Sequence, residues 1–414
     1  MIRAVKGMRD LLPPETEIWQ RVEEAARRVF RAYNYGEIRT PIVEETQLFA
    51  RGVGQETDIV SKEMYTFEDR DGVSLTLRPE NTAGVMRAYL EHRLDHRPGV
   101  KKLYYMGPMF RRERPQKGRY RQFFQIGAEA IGSESAAVDA EVIEMVDELL
   151  RAVGVTDFQL LLNSVGCPKC RPQFTALLRQ NLREVAGRLC SDCQRRSETN
   201  PLRVLDCKAP QDQEVIDRLP SILEHLCAGC RDHFAAVQQF LKDRGIDFCV
   251  RPRLVRGLDY YMRTTFEVVH GALGAQNSVL GGGRYDGLAE ALGAKTPAPG
   301  IGFSIGQDRL VMIVQESSEA AAAGPDLFIA ALGEEAFRHA APLARELRRK
   351  GVVVELVGER KLKKALELAD RMRARRALLV GENELTAGEY VLRDLQSGEQ
   401  RKVTPAELTA LWTN

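Results

Sequence analysis

No stretch of this 414-residue sequence reaches the roughly 18 apolar residues that a membrane-spanning helix needs. Its first residues, MIRAVKGMRDLLPPE, carry no apolar run of the signal-peptide kind. These absences lead us to expect a soluble, cytoplasmic protein with no membrane partner. Net charge is also nearly absent, at +2, so no global basic field marks a nucleic-acid binder, and such a partner would have to meet local patches. There is no GxxxxGK[ST] phosphate loop and no full GxGxxG fingerprint. A nucleotide would need its phosphates held in another way. Guanidinium groups projected from a sheet are the alternative, because arginine presents a fixed fork of donors suited to phosphate oxygens. No internal repeat is apparent.

What is present is globular in composition, 44% hydrophobic and 29% charged, and long enough for two or three domains with a real core. Two basic patches stand out, RRERPQKGRYR from Arg111 to Arg121 and RKLKKALELADRMRARR from Arg360 to Arg376. Either patch alone would equally suit a solvated helix face. Six of the eight cysteines form CxxC pairs, Cys167/Cys170, Cys190/Cys193 and Cys227/Cys230, while Cys207 and Cys249 stand apart. In a reducing compartment such pairs suggest thiolate–zinc ligation before disulfides. A four-cysteine site would use two pairs and leave one over. The alternative, reduced and partly buried thiols, stays open, so no metal ligand set is assigned.

Residues 15–34 read as an amphipathic helix, with Ile18, Val22, Val29, Phe30 and Tyr33 on one stripe. GEIRTPIVEET follows as a short strand interrupted by Pro41. EMYTFED, VSLTLRP, KKLYYMGPMFR and RQFFQIGAEAIG then read as strands of an antiparallel sheet, and residues 136–153 as a periodic helix. Residues 164–248 hold the CxxC pairs in helical, polar segments and look inserted. Strand signals return at FCVRPRLVRGLDYYMRTTFEVVH, a glycine-rich LGGGRYDGL follows, and GIGFSIGQDRLVMIV reads as a strand or turn entering a helix. ESSEAAAAGP is a low-complexity linker, and the alternation after it suggests a small α/β domain.

Arg111 opens a basic hairpin loop that Arg119 and Arg121 close, and Phe123 is then available to stack on a flat base. Arg256 lies between strand-like segments and Arg309 at the start of a helix. Gln125 and Glu129 share strand parity and so face one side of the sheet. With Glu80, Tyr260, Tyr261 and Tyr285 they could hold a small polar ligand, or simply form a hydrogen-bonded sheet face.

LTLRPENTAG, MFRRERPQKGRYRQFFQIGAE, LVRGLDYYMRTTFE, LGGGRYDGL and GIGFSIGQDRL resemble, in order and over nearly the whole length, the signature segments of histidyl-tRNA synthetases. The phrase ending at Pro41 resembles motif 1 of class II synthetases, Arg111–Glu129 motif 2 and Gly302–Arg309 motif 3. RGLDYY and GGRYDG resemble the two histidine-specific phrases. The resemblance implies an α+β fold, an antiparallel sheet flanked by helices. The catalytic core would occupy 1–163 and 249–316, an inserted, mainly helical domain 164–248, a linker 317–325 and an anticodon-binding α/β domain 326–414. It implies a histidine–tRNA ligase that forms histidyl-adenylate from ATP and passes histidine to the 3′ end of tRNA(His). It also implies a homodimer with motif 1 at its interface.

On that pattern Arg111, Arg256 and Arg309 are catalytic. Arg111 would contact the α-phosphate and the histidine carboxylate, and Arg309 the γ-phosphate side. Arg256 would offset repulsion between carboxylate and α-phosphoryl group. Glu113 would hold the adenine edge, Phe123 would stack on its ring, and Arg119 completes the ATP set. Histidine would be bound by Glu80, Asn81, Thr82, Arg111, Gln125, Glu129, Arg256, Tyr260, Tyr261 and Tyr285, with Glu129 and Tyr261 on the ring nitrogens. Arg114, Gln116 and Lys117 are the implied tRNA contacts. ATP and Mg²⁺ are the expected cofactors; zinc at Cys167, Cys170, Cys190, Cys193, Cys227 and Cys230 is not needed by this chemistry. Asp308 stands where the family commonly has glutamate, which puts its support of metal or phosphate in doubt. A histidine-sensing regulatory subunit of ATP phosphoribosyltransferase shares the fold, but generally lacks the anticodon domain and an intact set of catalytic arginines. Another class II synthetase, or a tRNA-binding paralogue without catalysis, is the other alternative; RGLDYY and GGRYDG argue against it.

Overall fold

The computed structural model describes residues 2–55, 57–317, 324–359 and 361–412. The chain divides into two compact units, Met1–Ser318 and Glu319–Asn414. Most of the 317–325 linker expected from sequence lies outside the described residues, as does Arg360 of the second basic patch. No helix among the described residues is long and apolar enough to cross a membrane.

The first unit is built on an eight-stranded sheet. From one edge its order is Gly36–Glu37, Lys101–Phe110, Gln122–Ile131, Gly300–Gly306, Ser278–Arg284, Met262–Val269, Gln159–Ser164 and Cys249–Val250. The six inner strands run antiparallel, and only the two short edge strands pair in parallel. The pleat sends alternate side chains to opposite faces, and here the two faces differ in chemistry. Ile126, Ala128 and Ala130 of one strand, Ile301, Phe303 and Ile305 of the next, and Phe266 and Val268 pack on one face. That face is covered by Glu15–Ala32, Ala136–Ala152, Ala228–Asp243 and Gln307–Ser317 through Trp19, Val22, Phe30, Val142, Val146, Leu149, Val237, Leu241 and Leu310. Each such buried side chain stabilises the fold by about 1.5–3 kcal/mol. Ser135 caps Ala136–Ala152 by accepting from the Ala137 amide at 3.2 Å. The intervening positions carry Gln125, Glu129, Glu267 and Ser304, interspersed with Gly127, Gly302 and Gly306, on the other face.

Helix expectations hold closely, but EMYTFED and VSLTLRP, read with the hairpin strands as one antiparallel sheet, form Tyr65–Glu68 and Ser74–Leu77 of a separate three-stranded sheet with Val43–Glu45. The helix read at 15–34 spans Glu15–Ala32, and the one read at 136–153 spans Ala136–Ala152. GIGFSIGQDRLVMIV is a strand entering a helix as its sequence suggests, Gly300–Gly306 passing straight into the helix that carries Arg309, and the glycine-rich LGGGR, to which the sequence assigned no element, is a central strand. Between Ser164 and Cys249 every element is a helix, and the chain returns beside the strand it left.

In the second unit, Val354–Glu359, Leu327–Leu332 and Arg376–Val380 are parallel, and Tyr390–Asp394 and Gln400–Val403 extend the sheet antiparallel. Leu327 and Ile329 face Glu334–Arg349, while Phe328 and Ala330 face Leu362–Arg371, so both sheet faces are covered.

Candidate active site

On the polar side of the large sheet opens a cavity of about 480 Å³. It is lined by Arg111, Glu113, Arg119, Phe123, Arg256 and Arg309, six residues that the sequence spreads over almost two hundred positions. The Lys101–Phe110/Gln122–Ile131 hairpin supplies the first four from its loop and its returning strand. Arg111 is anchored by donating from Nε to Pro79 O at 2.9 Å, and its guanidinium lies 5.1 Å from the Phe123 ring centre. Glu113 pairs with Arg119 at 3.0 Å and stands 3.7 Å from Arg111. Arg309 donates to Gly118 O at 3.2 Å and to Ser278 O at 2.6 Å. Burial, then the neighbouring charge of Arg119, draws its proton affinity down. Cations crowded in this way repel each other, and a polyanion between them would relieve the repulsion.

Arg256 is held flat over the sheet. Its Nη1 meets Glu267 Oε2 at 2.8 Å. It lies so close to the strand beneath that a Cβ on Gly281 would stand 2.0 Å from Nη2. Glycine there is a condition of the guanidinium's position.

Along the same face lies a buried polar cluster. Glu129, 1% exposed, accepts from Thr82 Oγ1 and from the Tyr285 hydroxyl, each at 2.7 Å. A Cβ on Gly302 would fall 1.7 Å from its Oε2, so that strand must be bare for the carboxyl to fit. Glu80 accepts the amides of Thr82 at 2.7 Å and Ala83 at 3.0 Å, and the Tyr260 hydroxyl at 3.5 Å. The Tyr260 ring packs against Tyr261 and Tyr285, with centroids 4.7 and 6.0 Å away. Tyr261 is pushed up to about 12 by burial; Arg256 opposes that shift and Glu129 adds to it, so it lies within electrostatic reach of both. Gln125, on the same face by strand parity, is buried, and its Oε1 has no partner among the described residues.

Burial raises the Glu129 carboxyl from 4.5 to about 8, even though Tyr285 and Thr82 both favour the ionised form. The carboxyl of Glu80 is raised in the same direction by burial. The sign of the linkage follows. A carboxyl whose folded proton affinity exceeds its unfolded one stabilises the fold most below its unfolded value. That contribution is lost as pH rises through about 8. Glu129→Gln should therefore gain stability relative to the parent as pH rises from about 5 to about 9. The expected gain is up to a few kcal/mol, at about 1.4 kcal/mol per tenfold change in proton affinity. Urea midpoints measured without histidine would test it, and a pH-independent difference would refute it.

A family model described as histidyl-tRNA synthetase matches residues 7–310, and one described as anticodon binding domain matches residues 326–412. The chain is 69% identical over 410 residues to the histidine–tRNA ligase of Solibacter usitatus, covering 99% of this chain and 98% of the relative. It is 57% identical to the histidine–tRNA ligase of Koribacter versatilis, covering 99% and 95%.

The chain belongs to the histidyl-tRNA synthetase family.

Its fold agrees with the apo histidyl-tRNA synthetase of S. aureus, with a TM-score of 0.83 at 36% identity and complete coverage of both chains. Of the positions that the resemblance to histidyl-tRNA synthetases singled out, the structure gathers Arg111, Glu113, Arg119, Phe123, Arg256 and Arg309 at the cavity. It gathers Glu80, Thr82, Glu129, Tyr260, Tyr261 and Tyr285 in the buried cluster. Asn81 is engaged elsewhere, its Oδ1 accepting from Thr40 Oγ1 at 2.6 Å. Arg114, Gln116 and Lys117 are exposed on the 111–121 loop. The Asp308 carboxylate lines the cavity but is already committed, to the Phe124 amide at 2.9 Å and to Arg9 at 3.3 Å. It joins the last helix of the core to the hairpin and to the N-terminal segment. Glu267 and Ser304 also line the cavity and were missed. The signal for Glu267 was available, as the one acid inside the apolar run FEVV.

Proposed function

We infer that this chain is a histidine–tRNA ligase, which activates histidine with ATP and transfers it to tRNA(His). The observation that carries the reading is the convergence of Arg111, Arg256 and Arg309 with Phe123 on one cavity, on the sheet face that also bears Glu129. ATP would lie with its base against Phe123 and its adenine edge at Glu113, its phosphates between Arg111, Arg119 and Arg309. Histidine would enter the buried cluster. Glu129 would accept from one ring nitrogen, Tyr261 would fix the other, and Glu80, Thr82 and Gln125 would receive the ammonium.

In the first step a carboxylate oxygen of histidine attacks the α-phosphorus, the bond to the bridging oxygen breaks, and pyrophosphate leaves. Both reactants are anionic. Arg256, held by Glu267 over Gly281, would offset their repulsion and stabilise charge on the α-phosphoryl oxygens. In the second step a ribose hydroxyl at the tRNA 3′ end attacks the adenylate carbonyl, and AMP leaves. The cavity's carboxylates are hard oxygen donors of the kind Mg²⁺ takes alongside phosphates. Glu63 and Asp206, which line the cavity, are the acids that would help hold the ion, which neutralises phosphate charge when bound.

ATP–pyrophosphate exchange with each amino acid tests this reading. Exchange with histidine alone is expected, and none with histidine would overturn it.

tRNA would be met by the 111–121 loop at the acceptor end and, in the second unit, by Lys361, Lys363, Lys364, Arg371, Arg373 and Arg375, all exposed. If these residues contact phosphates, tRNA affinity should fall steeply between about 50 and 200 mM salt, by about 10³–10⁵ for six to ten contacts. Removing Lys117 or Arg114 should lower the slope by about one each. A salt-indifferent Kd would rule these contacts out. The homodimer is a further proposal. Its support is a small sheet of Val43–Glu45, Ser74–Leu77 and Tyr65–Glu68, where Val43 and Phe67, with Ile42 and Val73 beside them, are exposed apolar side chains. Sedimentation of the purified chain reads that state directly.

A further inference from the structure

The helical segment between the two halves of the core contains two separate thiol clusters. The sequence left one CxxC pair over and set Cys207 apart, and the structure revises both points. Cys167 and Cys170 meet Cys227 and Cys230, and Cys190 and Cys193 meet Cys207 and Asp212. In each group the four ligand atoms all lie within 4.8 Å of one another. In the first, the Sγ–Sγ separations are 3.9 Å for Cys167–Cys170, 3.7 Å for Cys167–Cys227 and 3.9 Å for Cys170–Cys230. In the second, Cys190 and Cys207 stand 3.9 Å apart, and Cys207 Sγ lies 3.1 Å from Asp212 Oδ2. All eight cysteines are free. Sulfurs that each sit about 2.3 Å from one tetrahedral ion are held about 3.8 Å apart.

Inert thiols packed as small apolar side chains could also touch. Three features go beyond such packing. First, all three CxxC pairs open helices: Cys170, Cys190 and Cys227 are the residues preceding Arg171–Glu184, Ser191–Thr199 and Ala228–Asp243. The positive end of a helix favours thiolate over thiol. Second, backbone amides point at sulfur, with Cys167 N donating to Cys170 Sγ and Ala209 N to Cys207 Sγ, each at 3.3 Å. Third, Asp212 is fully buried, and its contacts among the described residues are to a backbone amide and to thiols rather than to a cationic side chain. Its Oδ1 is oriented by the Cys190 amide at 2.8 Å, which leaves Oδ2 facing the thiols. A buried carboxylate set among thiols needs a cation, and its orientation by a second hydrogen bond is what metal ligands show.

We propose that this segment binds two structural zinc ions, one at Cys167, Cys170, Cys227 and Cys230 and one at Cys190, Cys193, Cys207 and Asp212. Both sets are closed four-ligand sites, with no position left for a reacting water. The first clamps the two ends of the inserted segment together. Arg171, next to Cys170, donates to Val165 O at 3.1 Å and to Tyr261 O, tying that clamp to the buried polar cluster. The second fixes Cys207, whose neighbours Asp206 and Lys208 line the active-site cavity.

The test is zinc content of the full chain, purified untagged from zinc-supplemented cells and desalted. Two equivalents are expected. Cys230→Ala should lose one and Cys207→Ala the other, while Cys249→Ser, outside both clusters, should keep both. Should the cluster variants not fold, titrating the parent's thiols with a mercurial should release two zinc ions in step with the sulfurs of both groups. Cobalt substitution should give tetrahedral thiolate spectra. Parent protein free of zinc, or carrying iron instead, overturns the proposal. One equivalent, insensitive to Cys207→Ala, overturns the second site.

Discussion

Arg256→Ala should lower histidine-dependent pyrophosphate exchange by about 10²–10³, the usual effect of removing one preorganised electrostatic group, with a smaller change in ATP affinity. The asymmetry follows from geometry. The cavity retains Arg111, Arg119 and Arg309 for the phosphates, so ground-state binding of ATP keeps most of its partners. What disappears is the cation held where two anions must approach. Glu267 would lose its 2.8 Å partner, and an unpaired acid beside the α-phosphate would add repulsion. Arg256→Ala/Glu267→Gln should therefore recover part of the loss. Gly281→Ala gives an independent check, because its Cβ would occupy the guanidinium's place, 2.0 Å from Nη2. It should reproduce the rate defect with the arginine still present. Near-normal exchange in Arg256→Ala would refute the assignment.

Glu129→Gln should weaken histidine binding by about 10–150-fold, with KM rising more than kcat falls. Hydrogen bonds to charged groups are worth about 1.5–3 kcal/mol. Glutamine keeps the shape over Gly302 and an oxygen for Thr82 or Tyr285, but cannot become the ionised acceptor that Glu129, held at about 8 without histidine, would become once an imidazole N–H bonds to it. Discrimination should fall as well, since a buried site that must pair both ring nitrogens rejects analogues by leaving its own groups unpaired. The same variant is expected to gain stability relative to the parent as pH rises, and its urea midpoint at the assay pH separates lost affinity from a damaged fold. Unchanged KM for histidine would remove Glu129 from recognition.

The alternation in RQFFQIGAEAIG was enough to place Gln125 and Glu129 on one face, and periodicity located the helices, because both are local properties of the chain. Where sequence reasoning fell short, the cause was contact between distant segments. Nothing in the sequence marks what Gly281 and Gly302 are for: each lies in a central strand and is bare because a distant side chain, Arg256 over the first and Glu129 against the second, lies across it. Asp308 was read against a phosphate or metal, but its oxygens go to the Phe124 amide and Arg9, two partners far away in the chain. Cys207 looked solitary because its companions are other segments' cysteines and Asp212, a carboxylate that no cysteine spacing can announce.

Arg309 hangs from the motif 2 loop by the Gly118 carbonyl. A triphosphate that draws this guanidinium toward itself would change how firmly the loop is tethered, and the exposed end of that loop is the part proposed above to meet the tRNA acceptor end. Thermodynamic reciprocity then applies: whatever factor ATP imposes on acceptor-end affinity, the acceptor end must impose on ATP. One backbone oxygen would thus let the enzyme sense whether its two large substrates are present together.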